Sequence, residues 1–348
     1  MRNDVSNKAS SLRALFSSQI WCSFIETVFN EKPYISFFGL GVFFLPASYG
    51  RNERVVVFGD SLSDNGNCFA LTGGQLPPGP PQGAYGETFD GSGLSFPGRF
   101  TDGRNWVDYL PQVEKVFRVR IPTLSAFFQN PSAESASDFA IGGSTSEALN
   151  VLDATLPSFP KQIGAYLKSL GTNSAAGDLC VIWIGANDFA AGINPLETVA
   201  NIKGAIAQLA GVGVEKFAVV TIPDLALTPE VKAAGAVLAA QNFVFTVNLG
   251  LEFELPQFAQ LHQINISVVD INAVTFPIVF EPARFGFTNS IGSAYNPSSG
   301  LVLVPDPDKY VFWDGFHPTT RVDAIAPDFI VETVFARRLF HHFLPLVR

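Results

Sequence analysis

The sequence predicts an α/β fold in a single domain: a parallel sheet of about five strands, doubly wound, with helices on both faces. Three observations carry this. From Arg54 onward, short apolar runs rich in β-branched residues recur between longer segments of helical pattern. The runs are continuous rather than alternating, as strands buried on both faces must be. No internal repeat interrupts the succession, so right-handed crossovers can lay the helices above and below one sheet.

The strand runs are Val55–Phe58, Asp138–Ile141, Leu179–Ile184, Phe217–Ile222 and Ile266–Asp270. Helical patterns cover Trp106–Phe117, Phe159–Leu170, Pro195–Leu209, a long stretch from near Thr228 to Phe258, and a last one from near Thr320 to Phe340. Between the first strand and the first helix, Thr72–Asn105 holds fourteen Gly or Pro residues in thirty-four. That density suits neither helix nor strand interiors. A loop of this length in a compact domain is functional or disordered, and its aromatics (Tyr85, Phe89, Phe96 and Phe100) argue for a rim or partial lid over a site.

Composition narrows the function. The 348 residues are 47% apolar and only 15% charged, ample for a core. The net charge of −9, with no basic stripe, argues against nucleic acid as a partner. It leaves membrane contact to apolar residues alone. The 33 phenylalanines are many for this length and would suit a greasy ligand wherever they reach the surface. Three cysteines (Cys22, Cys68 and Cys180) show neither an even set nor a metal spacing, so no disulfide framework and no metal site are expected.

Residues 1–50 read as a leader, and 51–348 as the single domain. Within the leader, the apolar block Tyr34–Ala47 is too short for a comfortable membrane span and fits the core of a secretory signal, with Ala47, Ser48 and Gly50 as a small-residue cleavage site. Export, to the periplasm or the medium, is the favoured reading. The long mixed-charge stretch ahead of the block keeps an anchoring or merely docked segment open.

Four short motifs carry the chemistry. Phe58-Gly-Asp-Ser-Leu-Ser-Asp-Asn-Gly-Asn67 follows the first strand, Phe139-Ala-Ile-Gly-Gly-Ser-Thr145 the second, and Ile184-Gly-Ala-Asn-Asp188 the third; Trp313-Asp-Gly-Phe-His-Pro318 precedes the last helix. The first three lie past the C-terminal ends of parallel strands, where open α/β sheets bind ligands. Acyl transfer needs a nucleophile, a base, a group that orients the base, and donors for the oxyanion. Ser61 sits at a strand-to-helix turn, as a nucleophile should, with Gly59 permitting a tight approach. Of the four histidines, His341 and His342 lie on a helix face beside arginines and His262 falls in a linker. Only His317 has a carboxylate at short range, Asp314 three residues earlier, able to hold its tautomer. The backbone N–H groups of Ser61 and Gly143 and the side-chain amide of Asn187 are the candidate oxyanion donors. The plainer alternatives are a capping Ser61, a turn at Gly143, a helix cap at Asn187, and a capping Asp314 beside a half-exposed His317. Asp64 reads as structural.

These blocks resemble those of the GDSL, or SGNH, hydrolases, named for Ser, Gly, Asn and His. Further stretches, Gly98–Trp106, Ile222–Leu225, Phe285–Asn289 and Phe312–Thr320, resemble the branch that holds bacterial lysophospholipases, thermolabile haemolysins and glycerophospholipid–cholesterol acyltransferases. The similarity spans residues 53–325. It departs from that branch in lacking C-terminal-half cysteines. The resemblance implies a flavodoxin-like three-layer α/β/α sandwich and a cofactor-free serine ester hydrolase acting through an acyl-serine. The expected substrate is a small-molecule or lipid ester, with a lipid or lysophospholipid ester favoured over an acetylated sugar. An acyltransferase with the same acyl-enzyme, a carbohydrate acetylesterase and a catalytically silent binding protein are the alternatives.

Overall fold

The computed structural model describes residues 54–79, 84–86, 94–113, 125–129, 136–296 and 302–343. In chain order the elements begin with β1 (Arg54–Gly59), α1 (Asn67–Leu71), α2 (Trp106–Tyr109), β2 (Ser125–Ala126), β3 (Ala136–Asp138), α3 (Phe159–Leu170), β4 (Asp178–Trp183), α4 (Ala186–Ala191) and α5 (Pro195–Ala210). They continue with β5 (Lys216–Val220), α6 (Pro229–Ala233), α7 (Val237–His262), β6 (Asn265–Val269), α8 (Asn272–Phe280), β7 (Asn289–Ser293), β8 (Tyr295–Asn296), β9 (Val302–Leu303), β10 (Tyr310–Phe312), α9 (Thr320–Asp323) and α10 (Ala326–Phe343). The leader 1–50, with its apolar block, lies outside the described residues, as does Phe89. Among the described residues no helix is long and apolar enough to cross a membrane.

The central sheet runs β2-β3-β1-β4-β5-β6, with every pair parallel. Its sixth strand is the two-residue edge strand β2, too short to leave any periodicity in the sequence. Alternation along β1 explains the layers. Val56 and Phe58 point into one core with α3, α5 and α7, while Val55 and Val57 point into the other with α2 and α10. Because both faces are covered, none of these four side chains is more than 4% exposed. Burial of each such side chain contributes about 1.5–3 kcal/mol.

Four expectations shift in detail. The strand expected over Asp138–Ile141 is Ala136–Asp138; beyond it the chain still follows β1, with Phe139 N–H donating to Val57 O at 2.9 Å and Ile141 N–H to Gly59 O at 3.2 Å. The long helix breaks into α6 and α7 at Gly235, which adopts φ +66°. The helix from Trp106 gives way after Tyr109 to a 3-10 turn over Leu110–Val113, where Pro111 supplies no N–H. His262 is the last residue of α7, not part of a linker.

Candidate active site

Sheet order brings the site together. The chain steps from β1 to β3 on one side and then to β4 on the other, so the loops leaving these three neighbouring strands converge at a topological switch point. Ser61 leaves β1, Gly143 follows β3, and Asn187 lies in the first turn of α4 after β4.

Each loop is fixed by buried polar contacts. The Gln162 side chain accepts from Gly59 N–H at 3.0 Å and donates to Gly59 O at 2.7 Å and Ser144 Oγ at 2.9 Å, tying the first loop to the second. Asp188 accepts from Ser146 N–H at 2.7 Å, Ser146 Oγ at 2.5 Å and Thr198 Oγ1 at 2.7 Å, tying the third to the second. Asp64 accepts from the N–H groups of Gly66, Asn67, Cys68 and Gly142, which is the structural role read from the sequence. Gly59 is required by its own sheet rather than by a ligand: a Cβ there would stand 2.4 Å from Trp183 O.

His317 comes from a different direction. β10 pairs with β7 in a separate two-stranded ribbon, and the turn after β10 is closed by Trp313 N–H donating to His317 O at 2.8 Å. Within this turn Asp314 Oδ1 accepts from Phe316 N–H at 2.8 Å and His317 N–H at 2.7 Å. Its Oδ2 lies 2.8 Å from His317 Nδ1, and His317 Nε2 lies 2.8 Å from Ser61 Oγ. Ser61, His317 and Asp314 thus form one continuous chain of hydrogen bonds.

Electrostatics follow from burial. Desolvation would push the His317 imidazole down, but the Asp314 charge, its hydrogen bond and the Asp60 charge together raise it above its ordinary value. Asp314 is desolvated too, yet the His317 charge and three hydrogen bonds from the turn hold it below the usual carboxylate range. Asp60 is pushed up to about 7 by burial, against a hydrogen bond from Leu62 N–H.

The oxyanion candidates also converge. Ser61, Gly143 and Asn187 line one cavity with His317. Among the described residues neither the Ser61 nor the Gly143 N–H is taken by a protein acceptor. Gly143 adopts φ +75°, and a Cβ there would lie 2.5 Å from Asn150 Oδ1 and 2.7 Å from Leu152 Cγ, so glycine is obligatory. Asn187 does not cap α4, which has no side-chain cap. Its Nδ2 donates to Ser144 O at 3.0 Å, which fixes the amide and leaves its second N–H free.

The cavity has a volume of about 470 Å³, and its walls are overwhelmingly apolar, with Leu62, Phe189, Leu225, Ile278 and Phe312 among them. Val151, Leu152 and Phe316 line it while staying 39–51% exposed. Phe100, from the Gly/Pro-rich loop, lines it too and sets its ring 5.4 Å from that of His317.

The roles of two residues are not announced by the sequence. Asp60 is 1% exposed beside the nucleophile candidate and lines the cavity. Tyr85 donates from its phenol to Asp314 Oδ2 at 2.7 Å across 229 positions of sequence, a contact no spacing could announce. Cys68 and Cys180 are free and buried.

A parallel sheet with a Ser–His–Asp hydrogen-bond chain at its C-terminal edge has the arrangement of a serine hydrolase. The comparison with known families agrees: the model of the GDSL-like lipase/acylhydrolase family matches residues 55–328, and the chain belongs to that family of ester hydrolases. Its relatives include a GDSL esterase/lipase of Arabidopsis thaliana, 26% identical over 327 residues, covering 77% of this chain and 81% of the relative. They also include the phosphatidylcholine-sterol acyltransferase of Aeromonas hydrophila, 25% identical over 348 residues, covering 84% of this chain and 94% of the relative. Among solved structures, the carbohydrate acetylesterase Est24 of Sinorhizobium meliloti is similar at 14% identity and a TM-score of 0.45, covering 82% of this chain and 99% of that one.

Proposed function

We propose that this chain hydrolyses carboxylic esters of lipids, phospholipids or lysophospholipids among them, through an acyl-Ser61 intermediate. His317 takes the proton of Ser61 Oγ as it attacks the ester carbonyl, and Asp314 holds the imidazole tautomer and the imidazolium that forms. The Ser61 and Gly143 N–H groups and the Asn187 amide receive the charge developing on the carbonyl oxygen. His317 then protonates the departing alcohol. Water, deprotonated by His317, attacks the acyl-serine and releases the acid.

The observation that carries this reading is His317 bridging Ser61 and Asp314 at 2.8 Å on each side, at the wall of an apolar cavity. Its volume, about 470 Å³, lies within the range of pockets that enclose a small organic ligand. Apolar walls favour an acyl chain over an acetyl group. The signal-like block at 34–47 supports action outside the cytoplasm. The Aeromonas relative supports a second reading, transfer of the same acyl group to an alcohol rather than to water.

A chain-length series of model esters, run beside phospholipid and lysophospholipid, tests the substrate. Each added methylene buried in the cavity is worth about 0.8 kcal/mol, so kcat/KM should climb roughly fourfold per carbon until the cavity fills. A preference for acetyl esters would contradict the lipid reading. Adding a sterol acceptor separates transfer from hydrolysis by the product formed.

A further inference from the structure

The described parts of Thr72–Asn105 contact the histidine turn and the residues that follow it. Thr101 Oγ1 donates to Pro318 O at 2.9 Å, Asp102 Oδ1 accepts from Thr320 N–H at 2.7 Å, and Thr320 Oγ1 donates to Arg104 O at 2.7 Å. Tyr85 is 8% exposed, boxed by Phe100, Tyr295 and Trp313 at ring separations of 6.3, 5.5 and 6.2 Å. Its hydroxyl meets the same Asp314 oxygen that faces the imidazole.

We infer that Tyr85 is a positioning residue that tunes the basicity of His317 by sharing Asp314 Oδ2 with it. This rests on the Ser61–His317–Asp314 reading above. Among the described residues Asp314 receives four donors: two backbone N–H groups on Oδ1, and the imidazole and the phenol on Oδ2. A phenol donating to Oδ2 draws negative charge from the atom that stabilises the imidazolium, so it lowers the proton affinity of His317. Burial, with the Asp314 charge beside it, pushes the phenol far above its ordinary range, so Tyr85 keeps its proton and can only donate. Among the described residues, the other titratable groups facing this cluster are Asp60 beside Ser61, Tyr295 against the Tyr85 ring, Glu230 at Gly315, Asp102 on Thr101 and Thr320, and Asp224 and Asp323 at the cavity wall. Among the described residues, only Tyr85 touches the shared oxygen by a hydrogen bond besides His317 itself.

The test is the His317 titration followed by NMR on histidine-labelled protein, with His317→Ala assigning the resonance. Tyr85→Phe should raise the His317 midpoint by about half a unit to one unit. Replacing Tyr85 with 3,5-difluorotyrosine, a stronger donor, should lower it. An unmoved or lowered midpoint in Tyr85→Phe overturns the inference. If that variant does not fold, the fluorinated protein decides alone, and an unmoved or raised midpoint overturns it. The titration needs no turnover, so it stands apart from the esterase reading, which fails separately if the chain shows no Ser61-dependent hydrolysis.

Discussion

Asn187→Ala separates chemistry from scaffolding at the oxyanion side of the site. Among the described residues this amide makes one hydrogen bond, to Ser144 O at 3.0 Å, and it does not cap α4. Its removal therefore costs about 1 kcal/mol of stability, the net worth of one ordinary hydrogen bond. The free N–H acts only when the ester carbon becomes tetrahedral and its oxygen gains charge. Loss of one such donor lowers kcat by about 100- to 1000-fold, or about 2.7–4 kcal/mol of transition-state stabilisation, with KM little changed. Urea melts and steady-state kinetics on one preparation read both quantities. The two figures differ enough that neither can stand in for the other. A variant that loses stability yet keeps a normal kcat would remove Asn187 from the oxyanion site and leave two backbone donors.

Four further outcomes follow from the same geometry. Gly143→Ala puts a Cβ at φ +75° and 2.5 Å from Asn150 Oδ1, so it should lose roughly 1–2 kcal/mol from the left-handed backbone alone, together with most activity; an unperturbed melt would contradict the packing described. Asp60 has a folded value of about 7 against an ordinary 3.8, so its contribution to stability is complete below pH 3.8 and is lost as pH rises through 7; Asp60→Asn should therefore be more stable than the parent at pH 8, by up to about 4 kcal/mol, with the advantage gone near pH 4, and equal melts at pH 8 would count against it. Because His317 is held above its ordinary 6.5, kcat/KM should rise with pH through a midpoint above that value. Asp314→Asn should cut kcat by about 10⁴-fold and move that midpoint down, and a midpoint left in place would break the link between the two residues.

Local patterns carried most of the fold and most of the site. The phenylalanine-led helix Phe159–Leu170 was readable to the residue because a buried stripe (Phe159, Ile163, Tyr166, Leu170) recurs at helical spacing. The meeting of Ser61, Gly143 and Asn187 at one sheet edge was implicit in βαβ alternation, whereas the order β3-β1-β4 was not, because alternation is compatible with more than one strand order. What stayed hidden depends on tertiary contact. Strand β2 has too few residues to show a period, and β7 and β10 pair in a ribbon with a shifted register and an irregular polar pattern. Residue Gly59 looked like a concession to substrate but answers to Trp183 O on the neighbouring strand. Tyr85 was legible as one aromatic of a loop read as a rim or partial lid, but its bond to Asp314 was not, because that partner lies near the other end of the domain.

The central claim is that Ser61 becomes covalently acylated, and a fluorophosphonate ester tests it directly. Intact-mass analysis should show one adduct per chain, peptide mapping should place it on Ser61, and Ser61→Ala should take up none while melting like the parent. An adduct that persists in the folded Ser61→Ala protein, or that maps to another residue, would contradict the account.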